Sequence, residues 1–213
     1  MSARGRFITF EGVEGVGKST QVQRLADWLT GQGRDVVRTR EPGGAPLAEN
    51  VRKLLKQSPH GSIPATSELL LIFAARAAHA DALLRPALLR GQWIVCDRFV
   101  DASIAYQGAG RGLGRERVEA LAEWLVPDLV PDLTLVLDLP IDAAFQRLDA
   151  RGERDRFEQE DGVFFRRVRE AYLELADREP DRVRIVDASG TEEEVARRCR
   201  DLVAASLPGC ADD

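Results

Sequence analysis

The chain has 213 residues, of which 44% are hydrophobic and 31% are charged, and this is enough for one globular domain with a substantial buried core. Its formal net charge of -5 argues against an extended nucleic-acid surface, so we expect any bound polyanion to be met by a local cluster of cations. The three cysteines lack metal-binding spacing, no apolar run approaches the ~20 residues of a membrane span, and the N-terminus has no apolar targeting segment. We therefore expect a cytoplasmic protein that binds neither nucleic acid nor a membrane.

Apolar runs alternate with helical patterns along the chain, which is typical of an α/β domain with a mostly parallel sheet. The first helix should begin at Lys18, place its apolar residues at positions i, i+3, i+4 and i+7, and end at Gly31 and Gly33.

We find no repeat or linker and predict a single domain, residues 1–213. The predicted strands cover 6–11, 35–39, 93–97, 133–138 and 182–187, the later helices cover 46–57, 66–90, 114–125, 141–150, 160–178 and 191–207, and two Gly- and Arg-rich stretches, 108–114 and 151–156, are predicted to be exposed functional loops.

A phosphate-binding loop follows the first predicted strand. Residues 12–19 match G-x-x-x-x-G-K-[ST], lie after an apolar strand and open a helix, as this motif requires. Its glycines let backbone N–H groups face phosphate oxygens, Lys18 can reach the β- and γ-phosphates, and Ser19 can ligate Mg²⁺. The predicted ATP-binding residues are Gly12, Val13, Glu14, Gly15, Val16, Gly17, Lys18, Ser19 and Thr20.

A P-loop alone leaves GTPases, motors and small-molecule kinases open. No Asn-Lys-x-Asp motif surrounds Lys53 or Lys56, which argues against a guanine-specific GTPase. The third strand ends on Asp97 and Arg98, and the carboxyl ends of parallel strands form the ligand crevice of such sheets. We therefore predict that Asp97 joins Ser19 in a Mg²⁺ shell, partly through water, and that Arg98 meets an incoming phosphate.

Six short motifs follow one another along the chain. They are Phe10-Glu11-Gly12, Thr39-Arg40-Glu41-Pro42-Gly43-Gly44, Phe73-Ala74-Ala75-Arg76, Asp97-Arg98-Phe99, Ala105-Tyr106-Gln107-Gly108 and Asp155-Arg156-Phe157-Glu158-Gln159-Glu160. In this order they resemble the motifs of bacterial thymidylate kinases, which are P-loop nucleoside monophosphate kinases. The resemblance runs from about residue 6 to 190, and it implies a five-stranded parallel sheet surrounded by helices, Mg²⁺-ATP as donor, dTMP as acceptor, and a homodimer.

The resemblance also implies roles for individual residues in binding dTMP. Arg76 is similar to the arginine that donates to the thymine edge, Arg98 to the one that holds the dTMP phosphate, and Glu11 to an acid near the sugar 3′-hydroxyl. The family often places its base-stacking aromatic four residues before that thymine-binding arginine, but here Ile72 occupies the position and Phe73 follows it, so either could pack on the base. Pro42 and Arg52, the latter as a further phosphate contact, Ser103 and Gln107 at the base, and Tyr106 against the 2′ position complete the predicted substrate contacts.

An arginine-rich lid is predicted over residues 147–160. Some family members carry an arginine in the P-loop, whereas this chain has Glu14 there, so it resembles the members that supply the arginine from the lid. We expect Arg151 to share the transition-state charge with Lys18 and Arg98 while Asp97 and Glu11 organise metal and substrate, and we expect lid closure to exclude water.

Two other readings stay open at this stage. Another P-loop kinase could act on a different nucleotide or on a deoxynucleoside, and a nucleotide-binding regulator could lack turnover. His60 and His79 have no metal-ligand company, so we predict no zinc and assign them no chemistry, and the acidic run 192–194 is interpreted as favourable charge at a helix N-terminus.

Overall fold

The computed structural model describes residues 4–59, 61–150 and 157–207. Five parallel strands form one sheet in the order β2-β3-β1-β4-β5, which confirms the predicted fold class. Every strand begins and ends within one residue of its predicted bounds. They are β1 Phe7–Glu11, β2 Val36–Arg40, β3 Trp93–Asp97, β4 Leu133–Asp138 and β5 Val183–Asp187.

Helices surround the sheet and occupy most of the predicted helical ranges. The predicted helix 66–90 contains a π-helical segment at Ala80–Leu84, just before Pro86, which lacks the N–H that a regular α-helix needs at that position. The α-helices are α1 Lys18–Gly31, α2 Pro46–Gln57, α3 Ala65–His79, α4 Arg85–Leu89, α5 Val100–Ser103, α6 Arg115–Leu125, α7 Ile141–Asp149, α8 Gly162–Arg178 and α9 Glu192–Ser206.

The prediction of an exposed loop beginning at Gly108 was wrong. A second π-helical segment, Ile104–Gly110, continues α5, and both Gly108 and Gly110 are buried in it. A Cβ at Gly110 would lie 2.6 Å from the Phe164 ring, so the missing side chain lets this segment approach α8 closely. Glycine here marks close packing rather than a turn, and only Gly112 of this stretch is exposed.

Burial of the strands is greatest at the centre of the sheet. All five residues of β1 are buried, as expected for the central strand of a parallel sheet covered on both faces, while the edge strands β2 and β5 are partly exposed. The apolar residues of α1 are buried as predicted; they are Val22, Leu25, Ala26 and Leu29. Because all strands are parallel, their carboxyl ends meet at one edge of the sheet, and the P-loop leaves the middle of that edge.

Candidate active site

A cavity of about 690 Å³ lies at the carboxyl edge of the sheet. Residues 14–20 of the P-loop and the start of α1 line its middle. On the side of β2 and β3 it is lined by Glu41, Pro42, Arg52, Ile72 and Arg76, and on the side of β4 and β5 by Arg147, Gly190, Thr191, Glu192 and Val195. The cavity therefore extends to both sides of the P-loop.

The P-loop glycines are required by backbone geometry. Gly12, Gly15 and Gly17 have positive φ, and a Cβ on Gly15 would lie 2.3 Å from the carbonyl oxygen of Ala144 on α7. Lys18 Nζ donates to the carbonyl oxygens of Gly12 at 2.9 Å and Val13 at 2.7 Å. The loop thus wraps around the ammonium group, and Gly12 and Val13 lie behind the cavity lining rather than in it.

Burial makes Lys18 sensitive to the charge of its ligand. Burial, reinforced by the neighbouring Arg98, lowers the pKa of Lys18 from 10.5 to about 8. A phosphate placed against the ammonium would favour its charged form and oppose this shift. The charged form of Lys18 is therefore stabilised most when an anion occupies the loop.

Ser19 and Asp97 meet at the start of α1. Ser19 Oγ donates to Asp97 Oδ2 at 2.9 Å, while the buried Asp97 Oδ1 has no hydrogen-bond partner within the described part of the chain. A buried carboxylate oxygen without a partner is costly, and a hard cation is one group that can satisfy it. The donor set, a hydroxyl and a carboxylate beside the P-loop, therefore fits Mg²⁺.

Arg98 is held by an acid of the P-loop. Its backbone has φ 73°, and its Nη2 donates to Glu14 Oε1 at 2.5 Å and to the Tyr106 hydroxyl at 3.1 Å. The Tyr106 hydroxyl in turn donates to Glu14. The predicted phosphate-binding arginine and the predicted sugar-facing tyrosine thus share one carboxylate at the cavity wall.

Glu11 lies beneath the cavity, which corrects the role that the resemblance implied. Its side chain is fully buried, it does not line the cavity, and its two oxygens accept from the Phe99 N–H and the Tyr172 hydroxyl, both at 2.7 Å. Burial, together with the nearby carboxylate of Asp101, raises the pKa of Glu11 to about 8. The side chain supports the turn after Arg98 from inside the core, outside the cavity lining.

Arg76 reaches the cavity from α3 although only 1% of it is exposed. Its Nε donates to Glu41 Oε2 at 2.7 Å, Nη1 to Ser103 Oγ at 3.1 Å and Nη2 to the Phe99 carbonyl at 2.8 Å. Ser103 and Gln107 also line the cavity, and Gln107 donates to the buried Glu68 at 2.9 Å. The structure therefore brings together the residues expected to read the base.

The choice between Ile72 and Phe73 is decided by the rotation of α3. Ile72 lines the cavity, whereas Phe73 is 1% exposed and packs in the main core. The Phe73 ring lies beneath the Arg76 guanidinium, with 4.5 Å between the ring centre and Arg76 Cζ. Stacking of Phe73 on a bound base, which the sequence left open, does not fit this geometry. Arg52, also on the cavity wall, donates to the Pro42 carbonyl at 3.0 Å.

Some cavity residues were missed by the sequence analysis. Glu41 was noted only as part of a motif, and the segment from Gly190 to Val195 only as a helix start. That helix begins with a capping box between Thr191 and Glu194, a local signal that also shows the chain turning at the carboxyl end of β5. Position after a parallel strand was therefore the signal that could have found this segment.

The lid prediction is only partly covered by the structure. Arg151, Arg154 and Arg156 lie outside the described residues. At the two ends of the predicted lid, Arg147, Phe157 and Glu158 line the cavity, and Arg147 donates to the Ala188 carbonyl at 3.2 Å. The role of Arg151 stays a prediction.

Two kinds of feature are absent from residues 4–59, 61–150 and 157–207. No helix there is long and apolar enough to cross a membrane. No group of three or more His, Cys, Asp or Glu side chains there is arranged to hold a metal ion.

Comparisons with known proteins agree with one another. The family profile described as thymidylate kinase matches residues 10–199. The thymidylate kinase of Chromohalobacter salexigens is 55% identical over 90% of this chain and 91% of its own, and that of Alkalilimnicola ehrlichii is 54% identical over 96% and 94%. The crystal structure of thymidylate kinase from Ehrlichia chaffeensis superposes with a TM-score of 0.78 at 31% identity, covering 94% of this chain and 99% of that one.

Proposed function

The chain belongs to the thymidylate kinase family, and we propose that it transfers the γ-phosphoryl group of ATP to dTMP in the cavity that the P-loop divides, giving dTDP and ADP for dTTP synthesis. It is thus a nucleoside monophosphate kinase. The observation that carries the assignment of the site is the cavity itself, which reaches both sides of the P-loop at the carboxyl edge of the sheet. Two nucleotides entering from opposite sides would meet at their phosphates.

The donor lies on the side of β4 and β5. The backbone N–H groups of residues 15–20 stand at the positive end of α1, where phosphates bind well, and Lys18 lies beside them. Arg147 and the segment Gly190–Val195 then line the space left for the nucleoside part of ATP.

The acceptor lies on the side of β2 and β3. Arg76, Ser103 and Gln107 offer hydrogen-bonding groups for a pyrimidine edge, and Ile72 offers an apolar surface. Arg52 and Arg98 supply positive charge for the acceptor phosphate, and Tyr106 stands beside Arg98 at the sugar.

Ser19 and Asp97 would hold the Mg²⁺ ion that accompanies ATP. When bound, the ion supplies neutralising charge to the phosphates. The phosphates bring further oxygen ligands, so the protein need provide only two.

Catalysis requires positioning and charge rather than a nucleophilic side chain. An oxygen of the dTMP phosphate is itself the nucleophile, and it must lie in line with the bond from the γ-phosphorus to the leaving oxygen. Lys18 and Arg98 face this region from the loop and from the end of β3. Arg151 in the lid would add a third positive charge and help to exclude water.

A panel of acceptors with coupled detection of ADP tests this function. We expect turnover with dTMP to exceed turnover with dUMP, dCMP, dGMP and thymidine. Lys18→Met should abolish turnover, while Lys53→Met, which removes an exposed lysine of α2 outside the cavity, should leave it unchanged. A regulator without turnover would form no dTDP in any of these assays, and preference for another acceptor would reassign the substrate.

The functional assembly is a homodimer located in the cytoplasm, where ATP is abundant. Leu47 and Leu54, seven residues apart, are both exposed on one face of α2, and Leu70 is exposed on the neighbouring α3. Leu54→Glu should shift the protein toward a monomer in sedimentation experiments, while Lys53→Met should not.

A further inference from the structure

A chain of four hydrogen-bonded side chains runs from β2 to the cavity wall. The Thr39 hydroxyl lies 2.8 Å from His79 Nε2, His79 Nδ1 lies 3.0 Å from Glu41 Oε1, and Glu41 Oε2 accepts from Arg76 Nε at 2.7 Å. His79, Glu41 and Arg76 are at most 4% exposed. This buried histidine, to which the sequence analysis assigned no role, is thus joined to the arginine that faces the acceptor side.

The contact with Glu41 fixes one hydrogen of the histidine ring. A carboxylate only accepts hydrogen bonds, so His79 Nδ1 carries a hydrogen and donates it to Glu41. The Thr39 hydroxyl can donate to Nε2 or accept from it, so it holds the ring in place from the other side. Glu41 is thereby held at both of its oxygens.

The geometry leaves two donors of Arg76 for a ligand. A guanidinium has five N–H groups, and contacts within the described part of the chain use one on each of its three nitrogens. One N–H remains on Nη1 and one on Nη2. Their direction depends on the plane of the guanidinium, which the bond from Nε to Glu41 sets together with the bonds to Ser103 and Phe99.

The loop after β2 is built tightly around the histidine ring. Gly44 has φ +78°, and a Cβ there would lie 2.4 Å from His79 Cδ2 and Nε2 and 2.7 Å from the Thr39 hydroxyl oxygen. The ring therefore has little room to rotate. The Glu41 backbone N–H is also fixed, because it donates to the Asp97 carbonyl at 2.9 Å.

We propose that Thr39, His79 and Glu41 are positioning residues that orient the Arg76 guanidinium toward the base of the acceptor nucleotide. The proposal rests on the proposed function, since it takes the base as the ligand of Arg76. It predicts that removing the hydrogen bond between His79 and Glu41 weakens binding of the acceptor nucleotide. Binding of ATP should not change, because ATP lies on the other side of the P-loop.

Two substitutions of His79 separate positioning from packing. In His79→Asn the amide nitrogen falls close to the place of Nδ1 and keeps the donor to Glu41, whereas in His79→Gln the amide falls close to Nε2 and loses it. We expect the KM for dTMP to rise about tenfold or more in His79→Gln, the size of a lost hydrogen bond to a charged group, and to stay within about threefold of wild type in His79→Asn. The KM for ATP should stay unchanged in both.

The same measurement in the Arg76→Met background tests whether His79 acts through Arg76. There His79→Gln should raise the KM for dTMP no further. Equal KM values for the Asn and Gln variants, or an undiminished effect in Arg76→Met, would overturn the proposal. Thr39→Val, which removes one hydroxyl and keeps the side-chain shape, provides a second test if the histidine variants do not fold: a KM for dTMP equal to that of wild type would also overturn it.

These results are distinguishable from failure of the proposed function. If wild-type protein forms no dTDP, or if Arg76→Met leaves the KM for dTMP unchanged, the assignment of the acceptor site fails. If Arg76→Met raises that KM selectively and the His79 and Thr39 variants do not, only the positioning role fails.

Discussion

Ser19 and Asp97, 78 positions apart in the sequence, are joined by a 2.9 Å hydrogen bond from the Ser19 hydroxyl to Asp97 Oδ2. The bond connects the first turn of α1 to the carboxyl end of β3. It leaves the buried Asp97 Oδ1 as an acceptor without a partner in the described structure.

Asp97→Asn should lower kcat by about 10²-fold or more and raise the Mg²⁺ concentration needed for half-maximal rate, because charge stabilisation by a bound metal is worth several kcal/mol. Kinetics over a range of Mg²⁺ concentrations provide the measurement. Asp187→Asn is the matched control, since Asp187 also ends a strand but is exposed and lies outside the cavity lining. An unchanged Mg²⁺ dependence in Asp97→Asn would remove this residue from the metal site.

Ile72 and Phe73 should respond differently to truncation. Ile72→Ala removes apolar surface from the cavity, so it should raise the KM for dTMP severalfold, and it should also lower stability because Ile72 is buried in a small core cluster with Leu55. Phe73→Ala empties part of the main core and should cost about 3–5 kcal/mol of stability without raising this KM. Steady-state kinetics and urea unfolding of both variants would check this, and a KM for dTMP that rises in Phe73→Ala alone would place Phe73 on the base.

Glu11→Gln should change the pH dependence of stability rather than substrate binding. Because the folded-state pKa of about 8 lies above the ordinary glutamate pKa of 4.5, the folded protein holds a proton that the unfolded chain releases, and stability falls as pH rises from about 4.5 to about 8. Glutamine resembles the protonated acid, so the variant should gain stability relative to wild type across this window. Urea unfolding at several pH values measures the gain.

The KM for dTMP provides the second readout for Glu11→Gln. It should stay at the wild-type value, since the side chain is covered by Phe99 and Tyr172. A large rise in this KM with unchanged stability would instead support a contact between Glu11 and the sugar, as the sequence resemblance implied.

Tyr106→Ala should narrow the preference for dTMP over its ribose counterpart, because removal of the ring opens space beside the sugar. Tyr106→Phe is the control, since it keeps the ring and loses only the hydroxyl contacts with Glu14 and Arg98. We expect the ratio of kcat/KM for the two acceptors to fall in the alanine variant alone. A ratio that is unchanged in Tyr106→Ala would leave the ring with a packing role, against Phe164 and Tyr172.

Arg151→Ala should lower kcat by up to about 10³-fold with little change in either KM, as expected for an arginine that acts only in the transition state. Glu14 of the P-loop cannot take this role, because it is an acid and it pairs with Arg98. Arg166→Ala, an exposed arginine of α8, serves as the control. An intact kcat in Arg151→Ala would move the role to another lid arginine or remove it from the lid.

The sequence by itself determined the framework of this protein. Hydrophobic periodicity located every strand to within one residue and the buried face of α1, because these signals are local and repeat along the chain. The P-loop was equally readable, since its glycines, lysine and serine are adjacent. The position of Asp97 after a strand also predicted its meeting with Ser19, because all strands of a parallel sheet end at one edge.

Only the tertiary structure decided how individual side chains are used. Neighbours such as Ile72 and Phe73 differ by about 100° around a helix, and the rotation of α3 is set by its packing rather than by its own residues. Likewise Glu11 faces the core because Phe99 and Tyr172, far away in sequence, satisfy both of its oxygens. His79 acquires its place from Thr39 and Glu41 on another element, 40 and 38 positions away. Such long-range contacts leave no periodic pattern in the sequence, so only the tertiary structure shows them.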